Sequence, residues 1–187
     1  LCFVTAHPPQ RHHPVDAHLP DHLNRASGGV YELGSVFKSF TFAMAFDTGA
    51  VSMSDKIDAT HGIHIGRFTI DDFHAKHRVL TVPEVFTYSS NIGAAKIGLK
   101  MGPERLYRCM RAFGFGTRTG IELGGERSGT VHPVNRWSKI SITRIPMGHE
   151  VAVTPLQMTM AVCSVANQGR LMRPRLVDRL EDEEGNV

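Results

Sequence analysis

Long apolar runs, clusters of one charge sign and closely spaced cysteines are all missing from this 187-residue chain. The longest nearly apolar stretch, Phe40 to Phe46 with Thr41 inside it, is far too short to cross a bilayer. No signal peptide opens the sequence. Its 21 basic and 18 acidic residues, net +3, are scattered and form no stripe of the kind that tracks a nucleic-acid backbone. The three cysteines (Cys2, Cys109, Cys163) contain no C-x-x-C, so neither a zinc knuckle nor a disulfide framework is indicated. Cys109 and Cys163 fall in apolar helical patterns, where a free cysteine acts as a small core residue. H-E-x-x-H is absent too. The 11 histidines include two H-x-x-H pairs, His61/His64 and His74/His77, but Gly62 and Gly66 oppose a helix at the first, and no cysteine lies nearby. Metal binding is therefore the weaker reading, and loop histidines the stronger.

What remains is the composition of one soluble globular domain, 41% hydrophobic and 21% charged, long enough to bury a real core. Leu1 to His22 mixes five histidines with four prolines and shows no sustained period, so it reads as irregular; residues 1–13 are set apart as a segment not expected to belong to the native fold. A dense helical run is expected from Ser35 to Asp47, ended by Gly49 and apolar on most sides, hence internal. Ile57 to Ile70 alternates enough for short strands or an extended loop. Thr81-Val82-Pro83-Glu84 is a capping box that opens a short helix, and a second helix follows Ser89-Ser90-Asn91 to about Met101. A third runs from Pro103 to Phe113, with Leu106, Met110 and Phe113 on one face. A fourth starts at the capping box Thr154-Pro155-Leu156-Gln157 and stops at Gly169. Arg175 to Leu180 reads as a strand and Glu183 to Asn186 as a turn, which leaves the chain cut inside a hairpin. Helices and strands mix without βαβ alternation, which favours α+β packing.

Two motifs carry chemistry. Ser35-Val36-Phe37-Lys38 is S-x-x-K, and its i, i+3 spacing at a helix start puts both side chains on one face. A serine there sits among unpaired backbone N–H groups that favour developing negative charge. A lysine desolvated by the surrounding phenylalanines would have a lowered pKa and could take the serine proton. Ser89-Ser90-Asn91 is S-x-N at the junction of two short helices, from which Ser89 and Asn91 could share a cleft. Either motif alone has a bland structural explanation, a capping serine with a snorkelling lysine or a polar interhelical turn.

Together, in this order, they match the penicillin-binding and β-lactamase signature. Tyr31-Glu32-Leu33-Gly34-Ser35-Val36-Phe37-Lys38 resembles the active-serine segment of class B penicillin-binding proteins, and Tyr88 to Lys96 resembles their second motif almost letter for letter. Phe113-Gly114-Phe115-Gly116, Thr119 to Leu123 and Val153 to Gln157 resemble the same family, closest to its septal, cell-division type. The resemblance implies a penicillin-binding α+β fold, a central antiparallel sheet flanked by helices, with residues 14–187 a partial transpeptidase domain. It implies a peptidoglycan D,D-transpeptidase with Ser35 as nucleophile, Lys38 as general base, Ser89 as proton relay and Asn91 holding substrate and orienting Lys38. No metal or organic cofactor is implied. The implied partners are stem peptides ending in D-Ala-D-Ala, β-lactams as inhibitors and, for the longer protein, a cell-division glycosyltransferase and the divisome. The implied setting is the extracytoplasmic face of the bacterial cytoplasmic membrane, through an anchor not present in this chain.

The family's third motif, K-[ST]-G, is absent, since no lysine here precedes Ser-Gly or Thr-Gly. Arg118-Thr119-Gly120 and Arg127-Ser128-Gly129 are decoys, because both precede the Thr154 helix that the family's third motif follows. Gly124-Gly125 also replaces the family's usual Pro-Gly. The isolated chain is accordingly expected to be a weak or inactive catalyst. A non-catalytic β-lactam sensor or divisome module on the same fold stays open, and a serine β-lactamase is disfavoured by the flanking sequence.

Overall fold

The computed structural model describes residues 24–178. In chain order it holds α1 (Arg25–Gly28), β1 (Tyr31–Glu32), a 3-10 turn (Gly34–Phe37), α2 (Lys38–Asp47), β2 (Lys56–Asp58), β3 (Ile63–Ile65), β4 (Phe68–Ile70) and β5 (Val79–Thr81). Then come α3 (Val82–Thr87), α4 (Asn91–Met101), α5 (Pro103–Ala112), β6 (Thr130–Val131), a 3-10 turn (Val134–Arg136), α6 (Ser141–Arg144), a 3-10 turn (Ile145–Met147), β7 (Val151–Val153) and α7 (Pro155–Ala166). The segment 1–13 and the turn expected at Glu183 to Asn186 lie outside the described residues. The strand expected from Arg175 does not form through residue 178, where Leu176 and Val177 are exposed; residues 179 and 180 lie outside the described range. An apolar alternation without a partner to hydrogen-bond does not make a strand.

Two compact units divide the chain, one of Glu32–Ala112 with Thr130–Ala152, the other of residues 24–31, Phe113–Gly129 and 153–178. In the larger unit α4 is the hub, packing against α2, α3, α5, α6 and the Ile145–Met147 turn. Two helical glycines permit this. A Cβ on Gly93 would stand 2.3 Å from Val85 Cγ1, and one on Gly98 would stand 2.2 Å from Pro146 Cγ. Around α4 the core closes on Phe37, Phe40, Leu80, Val85, Ile92, Ile97, Leu106 and Met110, all at most 2% exposed. Burying each such side chain contributes roughly 1.5–3 kcal/mol.

Short strands frame the helices, β1, β7 and β6 in one three-stranded sheet and the others in two two-stranded ribbons. β2 pairs with β5 (Ile57↔Leu80), β3 with β4 (His64↔Thr69), and β6 with β7 (Val131↔Val151). The capping box at α3 forms in full, the Thr81 hydroxyl accepting from the Glu84 N–H and the Glu84 carboxylate from the Thr81 N–H. A hydrogen bond from Arg78 at 2.7 Å, helped by the Thr81 bonds, holds the Glu84 carboxyl down at about 2. Cys109 is a half-buried free thiol, pushed up by burial. Cys163, expected as a free core residue, is disulfide-bonded and half-buried on α7.

The smaller unit is held by two polar side chains. The Glu126 carboxylate, 8% exposed, accepts from the Thr119 N–H and hydroxyl and from the Gly120 N–H. The Arg118-Thr119-Gly120 decoy is thus a loop closed on a buried carboxylate. Gln157, 2% exposed, accepts from the Thr154 N–H in the second capping box. Its amide donates to the Thr117 and Ser128 carbonyls at 2.7 and 2.8 Å. One side chain therefore caps α7 and joins two turns of the loop. Gln157→Ala leaves these backbone groups unpaired and is expected to destabilise the protein by on the order of 3 kcal/mol in urea unfolding. A loss within experimental error of zero would mean that water replaces the three bonds freely.

Candidate active site

The S-x-x-K motif is split between two kinds of helix. Gly34, at φ +53°, begins the 3-10 turn in which Ser35 lies exposed, and the α-helix proper starts only at Lys38. Ser35 therefore lies in a tight 3-10 turn, where a helical run from Ser35 to Asp47 was expected. In 3-10 geometry residues three apart eclipse, which keeps Ser35 and Lys38 on one face.

Lys38 is 2% exposed although it carries an amine. A buried ammonium needs acceptors, and this one has three: the Ser89 carbonyl at 2.5 Å, the Ser89 hydroxyl at 3.0 Å and Asn91 Oδ1 at 2.7 Å. Burial lowers its pKa from 10.5 to about 8, against the opposing pull of the Asp72 carboxylate. The direction is the one expected from the surrounding phenylalanines. The ammonium is directed at Ser89 and Asn91 across the site, a placement that spacing within one helix does not show.

Ser89 occupies the left-handed region, φ +53°, which a non-glycine residue adopts only when its surroundings impose it. The conformation lets its carbonyl and its hydroxyl meet the same ammonium. Asn91, the first residue of α4, accepts from Lys38 through Oδ1 and donates through Nδ2 to the Asp71 carbonyl at 3.1 Å. It also lines an open cleft of about 340 Å³ with Phe68, Asp71, Arg144 and His149.

Asp72 is the residue that sequence reading missed. Its Oδ2 accepts from the Ser90 hydroxyl at 2.7 Å and its Oδ1 from the Ile92 N–H at 2.9 Å, while the Ser90 hydroxyl caps Gly93. A carboxylate at a helix N-terminus suits the dipole, and here it also fixes the motif that faces Lys38. The available signal was the acidic pair Asp71-Asp72 closing the alternating stretch that ends at Ile70. Of the histidine pairs, His64 bonds Thr69 within its own hairpin and His77 faces the Thr60 carbonyl. Among the described residues no group of three or more His, Cys, Asp or Glu is placed to hold a metal ion, and no helix is long and apolar enough to cross a membrane.

A serine one turn ahead of a buried amine of lowered pKa, with a second hydroxyl on that amine, is an arrangement suited to serine acyl transfer. The chain belongs to the penicillin binding protein transpeptidase domain family, whose model matches residues 5–187. It is 35% identical over 166 residues to penicillin-binding protein PbpB of Mycolicibacterium smegmatis, covering 88% of this chain and 26% of that one. It is equally 35% identical over 158 residues to a probable peptidoglycan D,D-transpeptidase FtsI of Caulobacter vibrioides, covering 84% and 26%. The chain thus spans about a quarter of the length of these relatives. The fold is similar to that of penicillin binding protein 3 from Mycobacterium tuberculosis in complex with aztreonam, with TM-score 0.79, 33% identity, and 87% and 37% of the two chains covered. A peptidoglycan glycosyltransferase structure from Burkholderia ambifaria matches with TM-score 0.80 and 27% identity over 88% of this chain and 52% of that one.

The lowered pKa has a consequence for stability. The unfolded chain keeps the Lys38 proton up to 10.5, the folded chain only to about 8. Between these values the unfolded state binds more protons, so this group makes stability rise with pH, by on the order of 3 kcal/mol across the window. Below pH 8 both states are protonated and the cost of the buried charge is borne in full. Urea midpoints from pH 8 to 10.5 should show the rise in the parent protein and lack it in Lys38→Met; an identical response in both would place the buried charge elsewhere.

Proposed function

We propose that this chain is the nucleophile-bearing part of a peptidoglycan D,D-transpeptidase of the septal, cell-division type. The observation that carries the reading is the buried Lys38 amine, one turn from Ser35 and bonded to both Ser89 and Asn91. Neutral Lys38 takes the Ser35 proton as the serine oxygen attacks the carbonyl of the penultimate D-Ala of a stem peptide. The tetrahedral intermediate collapses, the terminal D-Ala leaves as an amine protonated through the Ser89 hydroxyl, and an acyl-enzyme remains on Ser35. An amine of a neighbouring stem then attacks that ester, forms the cross-linking amide and returns the proton to Ser35. Asn91 holds the substrate amide and keeps Lys38 oriented. With a pKa of about 8, roughly a tenth of Lys38 is neutral at pH 7, enough to act as a base without a metal or organic cofactor in the scheme.

The relatives named as D,D-transpeptidases and the aztreonam- and ampicillin-bound structures of the tuberculosis protein support acylation by stem peptides and trapping by β-lactams. In this reading the reaction takes place outside the cytoplasmic membrane, alongside a glycosyltransferase and the division machinery. The alternative on the same fold is a β-lactam-binding sensor or division module that is acylated on Ser35 but transfers nothing.

Prolonged incubation with excess penicillin, followed by peptide mass mapping, should place one adduct on Ser35 and none in Ser35→Ala. The adduct should form faster as pH rises through about 8, the value at which Lys38 loses its proton. An adduct on another residue, or none, rejects Ser35 as the nucleophile. Transfer of the acyl group to an added D-amino acid separates the transpeptidase from the sensor.

A further inference from the structure

The Tyr31-Glu32-Leu33-Gly34 segment ahead of Ser35 has no part in the chemistry above, yet left-handed residues gather against it. Gly34 (φ +53°) faces Gly148 (φ +88°), and two residues beyond Gly148 the Glu150 backbone is also left-handed (φ +62°), a conformation that a glutamate resists. The Gly34 N–H donates to the Gly148 carbonyl at 3.1 Å. A Cβ on Gly148 would stand 2.0 Å from the Gly34 carbonyl oxygen, so the two turns touch backbone to backbone. Glu32 closes the contact. Its Oε1 accepts from the Glu150 N–H at 3.0 Å, and its Oε2 lies 3.6 Å from His149 Nδ1. The carboxylate of Glu150 is turned away, 3.7 Å from Arg144. One turn beyond Lys38, the Thr41 hydroxyl of α2 donates to the Pro146 carbonyl at 2.9 Å. Residues 146–150 are therefore pinned to the chain both before and after Ser35.

A four-residue 3-10 turn has poor internal hydrogen bonding and little stiffness of its own. Ser35 sits in such a turn, exposed, while Lys38 is fixed by Asn91 of α4 and by Ser89. The Lys38 N–H donates back to the Ser35 carbonyl and ties the end of the turn to α2, so what remains to be fixed is its start at Gly34. We propose that Glu32 is a positioning residue for acylation: by accepting the Glu150 N–H it clamps the Gly148–Glu150 turn onto Gly34 and fixes the orientation of Ser35 toward Lys38. The clamp rests on the reading of Ser35 as the acylated residue. A charged acceptor on a backbone N–H forms a strong bond, and the strained backbone of Glu150 persists because that bond and the Gly148 contact hold it.

The test compares this chain with Glu32→Ala, Glu32→Gln and Gly148→Ala, using a fluorescent penicillin and amide hydrogen exchange. In Glu32→Ala the acylation rate on Ser35 should fall about 10- to 100-fold, the scale of a misplaced reacting group. Its pH midpoint should stay near 8, because the partners of Lys38 are untouched. Glu32→Gln keeps an oxygen acceptor and should recover most of the rate. Gly148→Ala should lose it through the backbone clash. Exchange at residues 34–37 should quicken in Glu32→Ala and not in Glu32→Gln. Acylation of Glu32→Ala at the parent rate overturns the proposal, as does a Glu32→Gln variant no better than Glu32→Ala. If the parent chain is not acylated on Ser35, the proposed function fails separately, and unchanged exchange at 34–37 in Glu32→Ala would still overturn the clamp.

Discussion

A lysine ammonium that is almost wholly out of water requires acceptors, and most of the larger unit can be understood as the means of supplying them to Lys38. The acceptors come from two residues about fifty positions away, Ser89 and Asn91. For Ser89 to offer both its carbonyl and its hydroxyl, its backbone must turn left-handed. For Asn91 to offer Oδ1, α4 must begin at that residue, and Ser90 with Asp72 caps the helix there. Each piece has a local cost, an unfavourable φ, a buried hydroxyl or a half-buried carboxylate, and each is offset by a bond to the next. The same low dielectric that makes the arrangement expensive lowers the Lys38 pKa toward neutrality.

The apolar packing serves this polar centre. Gly93 and Gly98 allow Val85 and Pro146 to press against α4, so the helix that carries Asn91 is gripped on two sides. α2, buried through Phe40, Phe42 and Met44, has little freedom to rotate and holds the Lys38 stem in place. Rigid placement matters because a proton acceptor works only within hydrogen-bond reach of its donor. The smaller unit follows the same rule on another scale, where Glu126 and Gln157 each satisfy several backbone groups that a loop would otherwise leave unpaired.

Elements defined by local chemistry were legible in the sequence. Both capping boxes, at Thr81 and Thr154, form with their reciprocal bonds, because every group involved lies within four residues. The buried character of the run after Ser35 was legible from its phenylalanines. Features that depend on distant partners were not. The start of the helix shifted to Lys38 because Gly34 is held by Gly148, far along the chain. The strand expected at Arg175 found no partner within the described residues. Asp72 went unnoticed because a carboxylate in a loop looks alike whether it faces water or caps a helix.

The sequence by itself determined the chemical parts. The order and spacing of Ser35, Lys38, Ser89 and Asn91, together with their flanking text, point to one family, because that combination rarely arises by chance. It also marked Lys38 as a candidate for desolvation, since it lies in an apolar run, although the burial itself comes from packing between elements. Only the tertiary structure decided what the lysine bonds to, that Ser89 pays for its place with a left-handed backbone, and that the turn before Ser35 is strapped by Glu32 and Gly148. Hydrogen-bond partners across a fold are set by the packing of whole elements, and no pattern within a single helix or turn encodes that packing.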